Sequence, residues 1–317
     1  MKILITGSSG HLGEALMRTL AHGPHEAMGV DVLRSPFTNV VGSIADRAVV
    51  DACMKGVDAV LHTATLHKPH VATHSRQDFV DTNITGTLNL LEAAVENRVR
   101  SFVFTSTTST FGDALTPPPG APAVWITEDV VPIPKNIYGT TKIAAEDLCQ
   151  LFHRNEKLPC LVLRTSRFFP EGDDIVEKRS AFDDTNLKVN ELLYRRVDVE
   201  DVVSALLLAV EKAPSQGFGK FIITATTPFT RDDARELGCN APAVLRRRVP
   251  GYEAIYATQG WTMLPKLDRV YDNERARAVL GWAPRYDFAR ALHSVSAGID
   301  PRSELARTIG SKGYHAT

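Results

Sequence analysis

The sequence predicts an α/β chain: a doubly wound parallel sheet carrying a smaller, shortened second lobe. Three observations predict it. Short apolar runs with little alternation recur along residues 1–170, as strands covered on both faces require. Helical stretches separate them in a strand–helix order. Three glycines, Gly7, Gly10 and Gly13, sit between the first apolar run and the first amphipathic stretch.

Taken in order, strands are expected at 3–6, 27–32, 40–44, 59–63, 102–106 and 161–165. Helices are expected near 11–22, 46–55, 76–97 and 137–155. A later helix over 199–212 and a strand over 220–225 return to the sheet, separated by the turn Pro214-Ser-Gln-Gly-Phe-Gly. The domain division expected is 1–165 plus 196–225 for the sheet, and 166–195 plus 226–317 for the lobe. Pro117-Pro-Pro-Gly120 reads as a loop, and no internal repeat is visible.

Composition removes several classes. With 36 basic and 37 acidic residues in 317, no single-sign field favours nucleic acid or an anionic membrane. No apolar run nears the ~20 residues of a membrane span, and the chain starts directly in a strand without a signal-peptide pattern. A cytoplasmic location is expected. Cys53, Cys149, Cys160 and Cys239 lack metal-ligand spacing, so they read as reduced thiols and no metal is expected.

The glycine turn carries the first chemical signal. Its spacing is Gly-x-x-Gly-x-x-Gly, and small residues there let the backbone approach a pyrophosphate at the helix N-terminus. Gly13 allows close helix–strand packing. Asp31, at the end of the second strand, can accept hydrogen bonds from ribose hydroxyls and repel a 2′-phosphate. This points to NAD over NADP, with Arg34 nearby acting the other way. The second signal is Tyr138-Gly-Thr-Thr-Lys142, which places a phenol and an ammonium on one helix face. Lowering a phenol from ~10 to about 7 corresponds to roughly 4 kcal/mol of phenolate stabilisation, which a lysine and a cationic nicotinamide together can supply.

The glycine turn, Asp31, Asp58-Ala-Val-Leu-His-Thr-Ala64, Asn83, Phe102-Val-Phe-Thr-Ser-Thr107 and Tyr138/Lys142 occur in that order. This set resembles the extended short-chain dehydrogenase/reductase family, of the NAD-dependent epimerase/dehydratase type. The resemblance is dense over 1–170 and resumes at Arg195 to Asp201 and Leu280 to Tyr286. It implies a Rossmann fold with NAD held by Gly7, Gly10, His11, Leu12 and Gly13. Asp31 would take the adenosine ribose and Ser43-Ile44 would stand near the adenine. Thr63 and Ala64 would lie by the nicotinamide ribose and pyrophosphate, and Thr165 by the carboxamide. Asn83 would steady the cofactor-side loops. It further implies Tyr138 as proton acceptor, Lys142 as the cation that lowers its pKa and contacts the ribose, and Thr107, four residues before Phe111-Gly112, as the hydroxyl orienting the substrate oxygen. Ser106 is the neighbouring choice.

The implied partner is a small-molecule substrate, a sugar or nucleotide sugar, with a homodimer formed by helices 76–97 and 137–155 through Leu88, Leu91, Val95, Leu148, Leu151 and Phe152. Epimerisation and dehydrogenation share the Tyr/Lys/Thr set and stay open, and a non-catalytic NAD(H)-sensing regulator stands beside them. Dehydration is disfavoured, because Thr108-Ser109 stands where the family's dehydratases carry Asp-Glu. The substrate lobe departs from the nucleotide-sugar pattern. Arg167 replaces an asparagine, Asp198 replaces a histidine, and the stretch from Pro170 to Asp198 is short. Asn186-Leu187 can imitate a uridine-contacting pair. Arg167, Arg195 and Arg196 can bind a carboxylate or phosphate, or else pair with Asp173, Asp174, Asp183 or Asp184.

Overall fold

Seven of the apolar runs become one parallel sheet in a computed structural model, which describes residues 1–172 and 176–313. The chain runs β1 (Lys2–Thr6), α1 (His11–Leu20), β2 (Glu26–Asp31), β3 (Val40–Val41), α2 (Arg47–Met54) and β4 (Ala59–His62). A single-turn 3₁₀ segment, Lys68–Ala72, precedes α3 (Arg76–Val80) and α4 (Gly86–Glu96). These two helices are joined through a π-helical turn at Asp81–Thr85, so the expected helix over 76–97 is one run with a wide turn inside it. There follow β5 (Ser101–Thr107), β6 (Val124–Ile126), α5 (Ile137–Glu156), β7 (Cys160–Thr165), α6 (Val176–Ala181), α7 (Asp184–Leu192), α8 (Val199–Gln216) and β8 (Phe218–Ile223). The remainder is α9 (Ala234–Arg248), α10 (Tyr252–Gln259), β9 (Arg269–Tyr271), α11 (Phe288–Ser296) and α12 (Glu304–Ile309).

The sheet order is β3-β2-β1-β4-β5-β7-β8, with every pairing parallel. The order reverses between β1 and β4, where a doubly wound sheet opens a crevice at its carboxyl edge. One face buries Leu16, Leu61, Leu163 and Leu206 against α1 and α8, and the other buries Leu4, Leu91, Phe102 and Cys149 against α2, α4 and α5. A further core joins Leu187, Leu193, Leu237, Val244 and Phe288, and it draws in Ala123 from the segment carrying β6. Ala276, Leu280, Trp282 and Ile309 return to the sheet-side core. There Asp201 accepts the backbone N–H of Arg285 and of Tyr286, each at 2.8 Å, which joins the two outlying patches of family resemblance.

Two expected boundaries move for local reasons. The strand expected over 40–44 stops at Val41, because Ser43 turns the chain by accepting from Ala45 N–H and Asp46 then caps α2. Ile44 instead packs under Gly86, where an added Cβ would fall 2.6 Å from its side chain. The helix expected to end at 212 continues through Pro214 to Gln216, and Gly217 (φ +73°) makes the turn. Proline lacks the N–H that would bond the carbonyl four residues back. That carbonyl, on Val210, takes the Ser101 hydroxyl at 2.7 Å, in the buried interior. Ser101→Ala should therefore lower stability by about 1–3 kcal/mol, the cost of an unsatisfied buried acceptor. Pro214→Ala in that background should restore most of it, read by chemical denaturation. Simple additivity of the two changes would contradict the account.

Candidate active site

The glycine turn is closed by contact. Gly7 has φ +72°, and a Cβ there would lie 2.8 Å from Ala64 Cα. A Cβ on Gly13 would fall 1.9 Å from the Gly7 carbonyl oxygen. Gly10 caps α1 without a side-chain hydrogen bond, which leaves the first-turn N–H groups to the cavity beside them. Asp31 ends β2 with one carboxylate oxygen accepting Ser9 N–H and the other Leu33 N–H, each at 2.9 Å.

A cavity of about 610 Å³ runs from this turn along the carboxyl ends of the strands. Gly7, Gly10, His11, Leu12, Gly13, Asp31, Ser43, Ile44, Thr63, Ala64, Thr107, Tyr138, Lys142, Thr165, Arg167 and Arg195 all line it. A turn with no room for a Cβ and a fixed carboxylate at the next strand end match a dinucleotide's pyrophosphate and ribose. Asn83 and Asn186 are not on the wall, and neither is Arg196, which pairs with Glu191. Asn83 lies behind the wall in the π turn, where its amide accepts Leu66 N–H at 2.8 Å and donates to Leu66 O and Thr141 Oγ1, each at 3.0 Å. It thereby ties the loop after β4 to α5. Asn186 is expected to touch substrate, but its Oδ1 accepts Thr262 N–H at 3.1 Å in the lobe interior. It is spent on joining α7 to the chain after α10.

Tyr138 and Lys142 are both sealed into the helix–sheet interface. Of the six consecutive hydroxyl residues at 105–110, Thr107 is the one whose side chain acts on the Tyr138 phenol, favouring its ionised form, while its Oγ1 accepts Ser109 N–H at 3.1 Å. Ser106 instead donates to Glu146 at 2.6 Å, which separates the two residues that the sequence left adjacent. Lys142 donates to Thr105 O at 2.7 Å and lies 4.0 Å above the Phe104 ring. Burial pushes Tyr138 up to about 12, against the lowering effect of Thr107. Burial also pushes Lys142 down to about 7, although Glu146 draws it upward. The expected lowering of the phenol by Lys142 is thus overridden among the protein groups, because desolvation disfavours both charged forms.

Sequence reading missed the supports of this site. Thr6 Oγ1 accepts from Thr63 N–H and Ala64 N–H, each at 3.1 Å, which leaves its proton for His62 Nδ1 at 2.8 Å. His62 Nε2 then donates to Thr87 at 2.9 Å, so the ring is neutral, and burial holds its pKa well down. This relay ends β4 at His62 and fixes Thr63-Ala64 in the wall. Glu146, fully buried, binds Arg164 Nη2 at 2.7 Å and Lys220 at 3.2 Å. The lobe arginines share a carboxylate that the sequence did not single out. Glu191 takes Arg196 at 2.8 Å and Arg195 at 2.5 Å. Burial would raise Glu191, but Arg196, Arg195 and Arg167 outweigh it and hold it at about 2. Arg167 donates to Gly172 O at 2.5 Å. Asp183 caps α7 and Asp184 pairs with Lys188, while Asp173 and Asp174 lie outside the described residues. Three cysteines are buried and Cys239 is exposed, all as free thiols, and the described residues hold no group of three or more potential metal ligands. Among the described residues no helix is long and apolar enough to cross a membrane.

Comparison with known proteins agrees with this geometry. The family model for the NAD dependent epimerase/dehydratase family matches residues 3–222. The UDP-glucose 4-epimerase of Lactobacillus helveticus is 24% identical over 328 aligned positions, which cover 90% of this chain and 93% of the relative. The crystal structure of UDP-N-acetylglucosamine 4-epimerase from Bacillus cereus superposes with TM-score 0.65 at 20% identity, covering 94% of this chain and 98% of that one. A short-chain dehydrogenase/reductase superfamily protein from Agrobacterium tumefaciens, with bound NAD, gives TM-score 0.67 at 23% identity, covering 94% and 96%. At these identities the superpositions establish the fold. The family match, with the closed glycine turn and the fixed Asp31, establishes that the chain is an enzyme of the NAD-dependent epimerase/dehydratase family with NAD as its cofactor.

Proposed function

We propose that the protein is an NAD-dependent epimerase of a sugar or nucleotide sugar, working by Tyr138-assisted hydride transfer through a keto intermediate. The observation that carries this reading is the Tyr138 phenol, sharing one cavity wall with Thr107 and one helical turn from Lys142, in the cavity closed by the glycine turn. The UDP-sugar 4-epimerases among its relatives support the substrate class. Residues 166–195 and 226–317 form the substrate-covering lobe in this reading.

Thr107 and Tyr138 hold a secondary alcohol oxygen between them. Tyr138 accepts the hydroxyl proton as the carbon-bound hydrogen departs, and returns it when the ketone is reduced. NAD, when bound, would supply the hydride acceptor and, when oxidised, a positive charge. That charge would offset the burial which otherwise keeps Tyr138 protonated. Lys142 would hold the cofactor ribose through its ammonium protons. A second reading is a dehydrogenase of a sugar, sugar acid or other small secondary alcohol. Arg167 and Arg195 on the cavity wall favour it, together with Asn186 turned into the lobe core.

Tyr138→Phe should leave NAD affinity nearly intact and cut turnover by ~10²-fold or more. Thr107→Ala should cost less, since the proton acceptor stays. Lys142→Met should weaken NAD binding and shift the rise of rate with pH upward. Steady-state rates with UDP-sugars and small sugars measure all three, and full activity of Tyr138→Phe would overturn the assignment. Inverted sugar without net NADH marks the epimerase, stoichiometric NADH marks the dehydrogenase, and NAD binding with no turnover marks a sensor.

Asp31 sets the cofactor preference in this reading. Calorimetric titration should show NAD binding more tightly than NADP, and Asp31→Ala should narrow the gap by removing repulsion of the 2′-phosphate. An equal preference in the unaltered protein would contradict this.

The homodimer is proposed through the outer faces of α3, α4 and α5. Leu91 is consumed by the core, Val95, Leu148 and Phe152 pack partly against it, Leu88 is half-buried and Leu151 is exposed, so Leu88 and Leu151 are the apolar contacts left to a partner. Light scattering should give twice the 34.7 kDa chain mass at micromolar concentration. A monomer mass would refute the dimer.

A further inference from the structure

The segment between β4 and α3 carries three histidines, His67, His70 and His74, which take no part in the proton transfer above. His67 is the N-cap of the 3₁₀ turn Lys68–Ala72, and His70 is its third residue. His70 Nδ1 accepts the backbone N–H of His67 at 3.1 Å, while the His70 N–H bonds the His67 carbonyl at 2.9 Å. In a capping box the acceptor at this third position is ordinarily Glu or Gln, whose oxygens remain acceptors near neutrality. An imidazole nitrogen that takes up a proton becomes a donor and can no longer accept.

The turn is also part of the cavity. His67, Lys68, Pro69 and His70 line the same wall space as Tyr138 and Lys142. The His67 ring is buried and stacks flat on Phe169, with centroids 5.3 Å apart and planes at 9°. It meets His70 edge-on at 4.5 Å, and His70 meets His74 edge-on at 5.0 Å. A fastening that requires a neutral His70 ring therefore holds one wall of the site.

We propose that His70 is a positioning residue for the oxidoreduction: as a neutral imidazole it holds the turn Lys68–Ala72, with the His67 ring stacked on Phe169, against the cavity, and proton uptake by His70 releases the turn and weakens NAD binding. The proposal rests on NAD occupying this cavity. Lys68 lies on the turn itself, Arg167 lines the cavity near Phe169, and Tyr138 and Lys142 face it from α5. His11 meets Phe169 edge-on, and Glu171 is engaged with His11, Ser311 and Lys312. Asp78 is the carboxylate that senses His74. Burial lowers His70, and His74 lowers it further. A lowered imidazole contributes its stabilisation fully above the ordinary value of ~6.5 and loses it as pH falls below that.

The test compares NAD affinity by calorimetry from pH 5 to 8 in the wild type, His70→Asn and His70→Ala. Asparagine keeps an acceptor that does not titrate. The wild type should lose roughly tenfold in affinity between pH 7.5 and 5. The asparagine variant should bind as the wild type does at pH 7.5 and lose less than about threefold at pH 5. The alanine variant should be roughly tenfold weaker throughout. An unchanged acid limb in the asparagine variant, a flat wild-type profile, or wild-type affinity in the alanine variant overturns the proposal. Histidine-selective ¹⁵N NMR of the wild type needs no variant and no ligand. It should show His70 as the Nε2–H tautomer, titrating below 6.5 while the His67 backbone amide loses exchange protection. Protection that persists at pH 5 overturns the fastening. Absence of NAD binding at every pH, with the NMR signature intact, overturns the cavity assignment instead.

Discussion

The buried carboxylate of Glu146 is the constraint on which the site depends. Tyr138, Lys142 and Glu146 recur at spacing four along α5, so they share the face turned to the sheet. Glu146 accepts Ser106 at 2.6 Å on β5 and Arg164 at 2.7 Å and 3.0 Å on β7, with Lys220 of β8 at 3.2 Å. Ser106 and Arg164 immediately precede Thr107 and Thr165. The carboxylate that fixes the helix is thus bonded one residue away from two cavity-lining positions. Burial would raise its pKa, but Arg164, Lys220 and Ser106 together bring it below the ordinary 4.5. Its stabilisation is present above that value and lost as pH falls through the lowered one. Breaking a buried pair of this kind costs roughly 3–5 kcal/mol, because the remaining charge is left without a partner.

The same burial that makes the anchor rigid works against both reacting groups. A dry helix–sheet interface favours the neutral phenol and the neutral amine, which is why Tyr138 stands at about 12 and Lys142 at about 7. The protein alone therefore presents a proton donor. In the proposed reaction a positive charge brought into the cavity would favour the phenolate, which would couple proton acceptance to the presence of oxidised cofactor. The wall around it is held by polar contacts that must stay neutral or fully paired. His62 joins Thr6 to Thr87, Asn83 holds Leu66, and His70 holds the His67 N–H.

The parallel sheet was legible because its strands are apolar on both faces, and the cofactor turn because a backbone without Cβ leaves glycines at fixed spacing. Tyr138 and Lys142 were legible as a spacing within a helix. What was hidden involves partners distant in the chain or unusual chemistry. Pro214 continues α8 because Ser101 satisfies Val210 from another element. Asn186 is claimed by Thr262, across 76 residues. Glu191, which gathers the lobe arginines, reads in sequence as one more helical acid. Glu146 had a usable signal, since it extends the Tyr138–Lys142 stripe by one more turn, into an interior where a carboxylate needs cations. The His70 imidazole that holds the His67 N–H had none, because histidine is not among the usual capping residues.

The most direct measurement of the central claim is a crystal structure of the protein with NAD. The account predicts the pyrophosphate against Gly7–Gly13, the adenosine ribose on Asp31, and the nicotinamide ring between Thr63-Ala64 and the Tyr138 phenol, with Lys142 on its ribose. A nicotinamide ring bound away from Tyr138, or an adenosine that does not reach Asp31, would contradict it.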